Sequence, residues 1–389
     1  MITFIFLTIA IITAWGDVCA YRKANFHNLI SKAIVATALI LLNILPIISI
    51  AISILSKDNT EIIMSFASWS LTIYTIATLT RIGFYIGFLT IKHKIWAVII
   101  GSTISTIILA ILCNSLINTR TNIVVKNISI KDNNIPNSFN GFRIALFSDL
   151  HIGSLLSTEQ EISTLADKIN SQKPDMVIFA GDLIHIRHTE ITPKIAEILS
   201  SIKAPHGVYS VLGNHDTGVY IQDSISLPRS ENIRHLNAKI KQIGWTMLQD
   251  STIYAVKGRD SIAVTGIDFT DALLEYKHSF LTPDNFSADE TFTEIPEEVF
   301  NIAISHLPQL WQPLSKHAEL IVSGHVHATQ IAVELFGKRF SPAMLMYKEW
   351  SGLYSDGNSH LYITDGIGSV GFHLRIGANP EVTIIELNR

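Results

Sequence analysis

Residues 144–153, IALFSDLHIG, run through four apolar or small side chains and stop on a cluster containing Asp149, Leu150 and His151. Such a run reads as a buried strand whose last residues project from its carboxyl end, where open α/β sheets place their chemistry. Asp149 and His151, two apart, can grip one cation if the chain turns between them, because both side chains then point the same way. A single D-x-H is equally well a surface turn. Recurrence changes the odds: Met176 to Ala180 ends on Gly181 and Asp182, Val208 to Leu212 on Gly213, Asn214, His215 and Asp216, Ile302 to Ser305 on His306, and Leu320 to Ser323 on Gly324, His325, Val326 and His327. Helical spacing over Thr158 to Ser171, and further helices near residues 193–201 and 232–243, alternate with these strands and predict an α/β sandwich.

Carboxylates and imidazoles converging from five strand ends would leave costly, poorly paired groups in a cleft unless a cation joined them. With two divalent ions they become ligands. A nitrogen and oxygen donor set without sulfur suits Mn²⁺, Fe²⁺, Zn²⁺ or Co²⁺, with no choice among them. Both cysteines, Cys19 and Cys113, fall in the apolar first part of the chain, so the globular part has no thiolate site.

The 389 residues are 48% hydrophobic, with mean hydropathy +0.33, too high for an ordinary soluble enzyme. The excess lies before about residue 118. Apolar stretches over residues 1–20, 30–55, 62–91 and 95–117 predict four membrane helices, a cleaved signal peptide being the rival for the first. Asp17 reads as the exit of the first helix. Arg81 inside the third would cost about 2.5 to 3.5 kcal/mol at the bilayer centre, which a span of Ile62 to Thr80, with Arg81 snorkelling at its end and Ile82 to Ile91 along the interface, avoids. A substrate or headgroup contact is its functional alternative. A net charge of −4 with no basic block argues against nucleic-acid binding. A tether and first strand, Ile123 to Ile130, open the globular part, giving domains of residues 1–118 and 119–389. Arg22, Lys23, Lys32, Lys92 and Lys94 in the first and third breaks, against Lys57 in the second, put the catalytic domain outside the cytoplasm of a multi-pass cell-membrane protein. The basic tether, with Arg120, Lys126 and Lys131, counts the other way.

SDLHIG, AGDLIH, LGNHDTG, SHLP and SGHVHATQ, in this order, resemble the calcineurin-like metallophosphoesterases over about residues 141–389, and most of all their membrane-associated bacterial branch, whose ending is similar to Trp350 to Gly371 followed by PEVTIIEL. The resemblance implies a four-layer α-β-β-α sandwich of two mixed sheets. It implies that Asp149, His151 and His327 hold one metal, Asn214, His306 and His325 the other, and that Asp182 bridges them. It makes His215 an acid or phosphate-contacting group, steadied by Asp216. His185 stands where Asp is common, and Ala328-Thr329 replaces a frequent Gly-Gly. The remaining histidines read as ordinary, with His373 worth watching beside the Gly366 to Gly371 turn, and the acidic segment Asp284 to Glu298 reads as a solvated loop or a lid.

The expected function is hydrolysis of a phosphodiester, pyrophosphate or phosphomonoester, a lipid-linked one among the candidates, by a membrane-anchored, manganese-type binuclear enzyme. A catalytically weak binding module on the same scaffold is the alternative. Loss of ligands would mark it, and no expected ligand is missing.

Overall fold

A computed structural model describes residues 2–23, 28–55, 60–221, 228–276 and 286–389. Lys57, Asp58, His278 and the first residues of the acidic segment lie outside the described residues. The chain divides into two compact units, Met1–Asn118 with Gly371–Leu374, and Thr119–Val370 with Arg375–Arg389.

The first unit contains α1 (Ile2–Lys23), α2 (Leu29–Leu55), α3 (Thr60–Thr90) and α4 (Lys94–Ile117). Within it the stretches Thr60–Gly87 and Ile95–Thr121 are long and apolar enough to cross a membrane, whereas the apolar stretch Leu29–Leu45 is shorter. Helix α3 packs on α4 through small residues: a Cβ on Gly83 would meet the backbone of Ser105, and one on Gly87 the carbonyl of Ala97. Gly83 and Gly87 form the G-x-x-x-G spacing that lets helix backbones approach closely.

The reading of Asp17 and Arg81 as interfacial residues is corrected. Helix α3 runs unbroken past Arg81, and α1 past Asp17, and both side chains are buried. Arg81 Nη1 lies 2.5 Å from Asp17 Oδ2, while the Tyr85 hydroxyl (2.6 Å) and Asn43 Nδ2 (2.7 Å) donate to the same carboxylate. The charge is neutralised where it stands, so it has no need to snorkel.

The second unit is built on two mixed sheets. Its strands in chain order are β1 (Val124–Lys131), β2 (Phe142–Phe147), β3 (Met176–Phe179), β4 (Val208–Ser210), β5 (Thr246–Met247), β6 (Ser251–Lys257), β7 (Asp260–Gly266), β8 (Asn301–Ile304), β9 (Leu320–Ser323), β10 (Val333–Leu335), β11 (Lys338–Phe340), β12 (Gly352–Asp356), β13 (Ser359–Ile363) and β14 (Glu381–Asn388). One sheet has the order β1-β14-β2-β3-β4-β5 and the other β12-β13-β9-β8-β7-β6, while β10 and β11 form a separate hairpin. Strands β2 to β5 are mutually parallel, as are β7, β8, β9 and β13.

Alternation along the buried strands divides the core. Ile144 and Leu146 of β2 join Ile302, Ile304, Leu320 and Val322 in one cluster, between the sheets. Ala145 and Phe147 share the other cluster with Ile162, Leu165 and Ile169 of α5 (Thr158–Ser171), Leu199 of α6 (Pro193–Leu199) and Leu236 and Ile240 of α7 (Arg229–Gln242). The outer residues of the second sheet, Ala303, Ile321 and Leu361, are clustered with Leu310, Trp311 and Leu314, which belong to short helical turns and not to full helices. The acidic segment is not wholly solvated, since Phe292 is buried in this core and Phe286 packs on it.

Candidate metal centre

The parallel strands deliver the expected donors together at their carboxyl ends, and the backbone there is bent hard. Asp149, His151, Asp182, His325 and His327 all have positive φ, between 43° and 72°, a region L-residues enter at a cost. Cross-loop hydrogen bonds hold these turns: the backbone N–H of Asp149 donates to the Gly181 carbonyl (2.8 Å) and that of His151 to the Asp182 carbonyl (3.1 Å). A Cβ on Gly213 would strike the Asp182 carboxylate, so glycine is what lets the third loop close on it.

Asp149, His151 and His327 offer donor atoms within 4.8 Å of one another, and so do Asp182, His306 and His325. In the first group His151 Nε2 and His327 Nε2 are 3.1 Å apart, and His327 Nε2 is 3.2 Å from Asp149 Oδ1. In the second, His306 Nε2 is 3.3 Å from Asn214 Oδ1. One oxygen serves both: Asp182 Oδ2 lies 3.2 Å from His306 Nε2 and 3.6 Å from His151 Nε2. The His306 Nδ1–H donates to the Ala180 carbonyl (2.8 Å), which leaves Nε2 as a donor to a metal.

The electrostatics of this set call for cations. Burial opposes the charged form of Asp182, yet the His306 and His215 imidazoles outweigh it and hold the carboxyl well below the usual range. Against the same burial, the Asp182 carboxylate pushes His306 up to about 9. Protein groups alone balance these carboxylates only with a proton on an imidazole, and a divalent ion takes that place. The residues present fit two such ions.

His215 is buried beside the first group, its ring 4.5 Å from that of His151. Its Nδ1–H donates to the His185 carbonyl at 2.6 Å, so Nε2 is the nitrogen left for a substrate, and burial lowers its pKa. Asp216, expected to steady His215, is placed on the backbone of the ligand loops. Its carboxylate accepts the backbone N–H groups of Asp182 (2.8 Å), Leu183 (2.9 Å), Ile184 (3.1 Å) and Gly213 (2.9 Å), pinning two ligand loops together. His185 is buried with its ring stacked on His215, and its Nδ1 is 3.5 Å from His151 Nδ1.

A family model described as calcineurin-like phosphoesterase matches residues 142–329, a stretch that holds all seven expected ligands. This chain carries a calcineurin-like metallophosphoesterase domain. The domain is that of a metal-dependent phosphohydrolase, and its His and Asp groups are suited to divalent ions. An uncharacterized metallophosphoesterase of Bacillus subtilis, YkuE, is 28% identical over 268 residues, 67% of this chain and 83% of its own length. A zebrafish (Danio rerio) transmembrane protein with metallophosphoesterase domain is 28% identical over 74% of this chain and 63% of its own length, so the chain spans less than two thirds of it. The Escherichia coli phosphodiesterase YaeI is 26% identical over 66% of this chain and 84% of its own.

The metallophosphoesterase domain also brings up residues that no strand-end motif marks. Asn214 Nδ2 donates to the Tyr220 hydroxyl (3.1 Å), whose ring lies 4.2 Å from His215, and the Tyr347 hydroxyl is 3.3 Å from His325 Nε2. Burial pushes Tyr220 up to about 12, so its hydroxyl keeps its proton at neutral pH. Glu190 is half-buried and accepts four backbone N–H groups, those of Gly153, His185, Ile186 and Arg187, which fixes the loop behind His151. Arg375, fully buried, sets Nη2 3.3 Å from His327 Nδ1 while bonding the carbonyls of Asp365, Gly368 and Ala378. His373 takes no place here: it belongs to the helical unit, where its ring lies 4.8 Å from Trp69 and its N–H donates to Thr72 Oγ1.

Proposed function

We propose that this protein is a membrane-anchored binuclear phosphoesterase in which Asp149, His151 and His327 hold one divalent ion, Asn214, His306 and His325 the other, and Asp182 bridges both. The observation that carries this is the single Asp182 oxygen facing an imidazole from each donor group. When bound, two such ions lower the pKa of a water and polarise the phosphoryl group. The chain's own residues then do the rest. His151 and His306 keep their Nε2 atoms aimed inward, Asp216 holds the Asp182 and Gly213 turns in register, and His215 faces the phosphoryl oxygens and the leaving group with Nε2, which acts as a hydrogen-bond donor and acid once the imidazole has taken up a second proton. Tyr220 offers a protonated hydroxyl from the second group's side.

The E. coli relative's name supports a phosphodiester as the first substrate to try, with pyrophosphates and phosphomonoesters beside it. The four N-terminal helices and the zebrafish relative's name support a multi-pass anchor, and an anchor raises the effective concentration of a lipid-borne phosphoester. Arg120 in the tether is buried in a two-bond pair with Glu161, and the remaining Lys and Arg pattern supports a catalytic domain outside the cytoplasm. Purified protein assayed with Mn²⁺ against phosphodiesters, phosphomonoesters and lipid pyrophosphates tests the function, and turnover of none of them would refute it. Alkaline phosphatase fused after Arg389 is expected to be active, and an active β-galactosidase fusion there would reverse the orientation.

A further inference from the structure

Strands β10 and β11 are joined by two residues, Phe336 and Gly337, with φ of 53° and 71°. Two positive φ values in a two-residue hairpin loop are the signature of a type I′ turn, whose first central position suits Asn, Asp or Gly. Phe336 stands there instead, in a strained backbone region, with its ring fully exposed at 103% of the reference area. Neither the turn nor the core of the domain accounts for a phenylalanine at this tip.

Cross-strand partners share a face. The pairs Val333 with Phe340 and Leu335 with Lys338 therefore lie on one side, and Glu334 with Arg339 on the other. The second side is turned to the domain, because Arg339 pairs with Asp365 at 2.5 Å and its guanidinium lies 5.6 Å from the Trp350 ring. The first side faces outward, with Val333, Leu335 and Phe340 each exposed by 43% or more, and the next turn, Pro342–Leu345, adds exposed Met344 and Leu345. An isolated two-stranded hairpin has nothing of its own to cover such a face.

The chain itself indicates what covers it. Helix α4 ends at Ile117, and the domain begins at Thr119, so the domain starts directly after a helix long and apolar enough to cross a membrane. We propose that the β10–β11 hairpin and the Pro342–Leu345 turn dip into the boundary between headgroups and acyl chains of a lipid bilayer, with Phe336 deepest and Lys338 at headgroup level. The hairpin begins six residues after His327, and the turn ends two residues before Tyr347, whose hydroxyl reaches His325. A bilayer-borne phosphoester would thus be met next to the ligand loop. This substrate assignment rests on the membrane-anchored phosphoesterase reading above, whereas the docking does not rest on catalysis.

The test uses the full chain with Cys19→Ser and Cys113→Ser, reconstituted in vesicles of phosphatidylcholine and phosphatidylglycerol, with a nitroxide at Phe336→Cys and, as control, at the exposed Arg259→Cys. The label at 336 is expected to favour oxygen over a water-soluble nickel relaxant, and that at 259 to show the reverse. Equal exposure of both labels to nickel would overturn the proposal, as would spin–spin broadening at 336 in detergent, which would give the face to a second copy of the chain. Phe336→Asn supplies a better turn residue, so it is expected to keep or raise Tm and to keep hydrolysis of a soluble nitrophenyl phosphodiester within about twofold. Hydrolysis of a vesicle-borne phosphoester is expected to fall by about tenfold, in keeping with the loss of one buried aromatic side chain. Equal effects on both substrates would sink the link to substrate. A wild-type protein inert on both would refute the proposed function, while the labels would still decide the docking.

Discussion

The joint within the helical unit and the candidate metal centre bury charge in opposite ways. In the helical unit Asp17 meets Arg81, Tyr85 and Asn43, so a carboxylate is answered by a cation and two neutral donors, all from the protein. In the metallophosphoesterase unit Asp149 and Asp182 meet imidazole nitrogens that crowd one another, with two Nε2 atoms 3.1 Å apart and each the kind of atom that binds a metal. A closed set of opposite charges is a structural joint. A convergent set of like donors is a set suited to holding cations.

This contrast predicts different responses to the same kind of damage. Chelation is expected to abolish turnover, with Mn²⁺ or another transition dication restoring it, while leaving the helical unit's circular dichroism unchanged. Its metal-dependent unit should lose about 2.7 kcal/mol of stability relative to a sample with metal at a hundredfold above its Kd, read as a shift in the unfolding midpoint. Full activity in chelator would make the donor set merely structural.

His215→Ala should lower kcat by about 10² to 10³ with metal content retained, the outcome required by the proposed role of its Nε2 on the reacting group. Metal analysis beside the kinetics checks this, and joint loss of metal and rate would make His215 a ligand. Asp216→Asn should have a milder effect, since an amide oxygen still accepts part of the four N–H bonds, and it should act by loosening the Asp182 turn. Lower metal affinity rescued by added Mn²⁺ is the expected sign.

In the helical unit Arg81→Ala should destabilise by about 3 to 5 kcal/mol, the usual cost of leaving a buried partner uncompensated, without changing kcat on a soluble phosphodiester. Asp17→Asn together with Arg81→Met should recover most of that loss. Detergent-resistant unfolding monitored by intrinsic fluorescence separates the three proteins, and a pair variant no better than the single one would deny the joint.

Legibility in the sequence followed the physics of each feature. Apolar runs that end on Asp or His are local signals, so strands β2, β3, β4, β8 and β9 and the donors at their ends could be read from the chain alone, as could α5, α6 and α7 from their periodicity. Partners brought by tertiary contact could not. Asp17 and Arg81 lie 64 residues apart, and no local pattern told that one would answer the other. Tyr347, Glu190 and Arg375 carry no strand-end motif, and a side chain that supports a ligand from behind leaves no spacing to read. Asp216 was visible as a polar residue beside His215, but whether its carboxylate faced an imidazole or backbone N–H groups depended on how the loops fold over one another.

The central claim is that Asp182 joins two metal sites, and metal stoichiometry tests it most directly. Wild-type protein loaded with Mn²⁺, freed of excess ion and analysed by mass spectrometry should hold two ions per chain, and Asp182→Asn should lower the affinity of both together. A wild type that holds one ion, or an Asp182→Asn variant that keeps two with unchanged affinity, would contradict it.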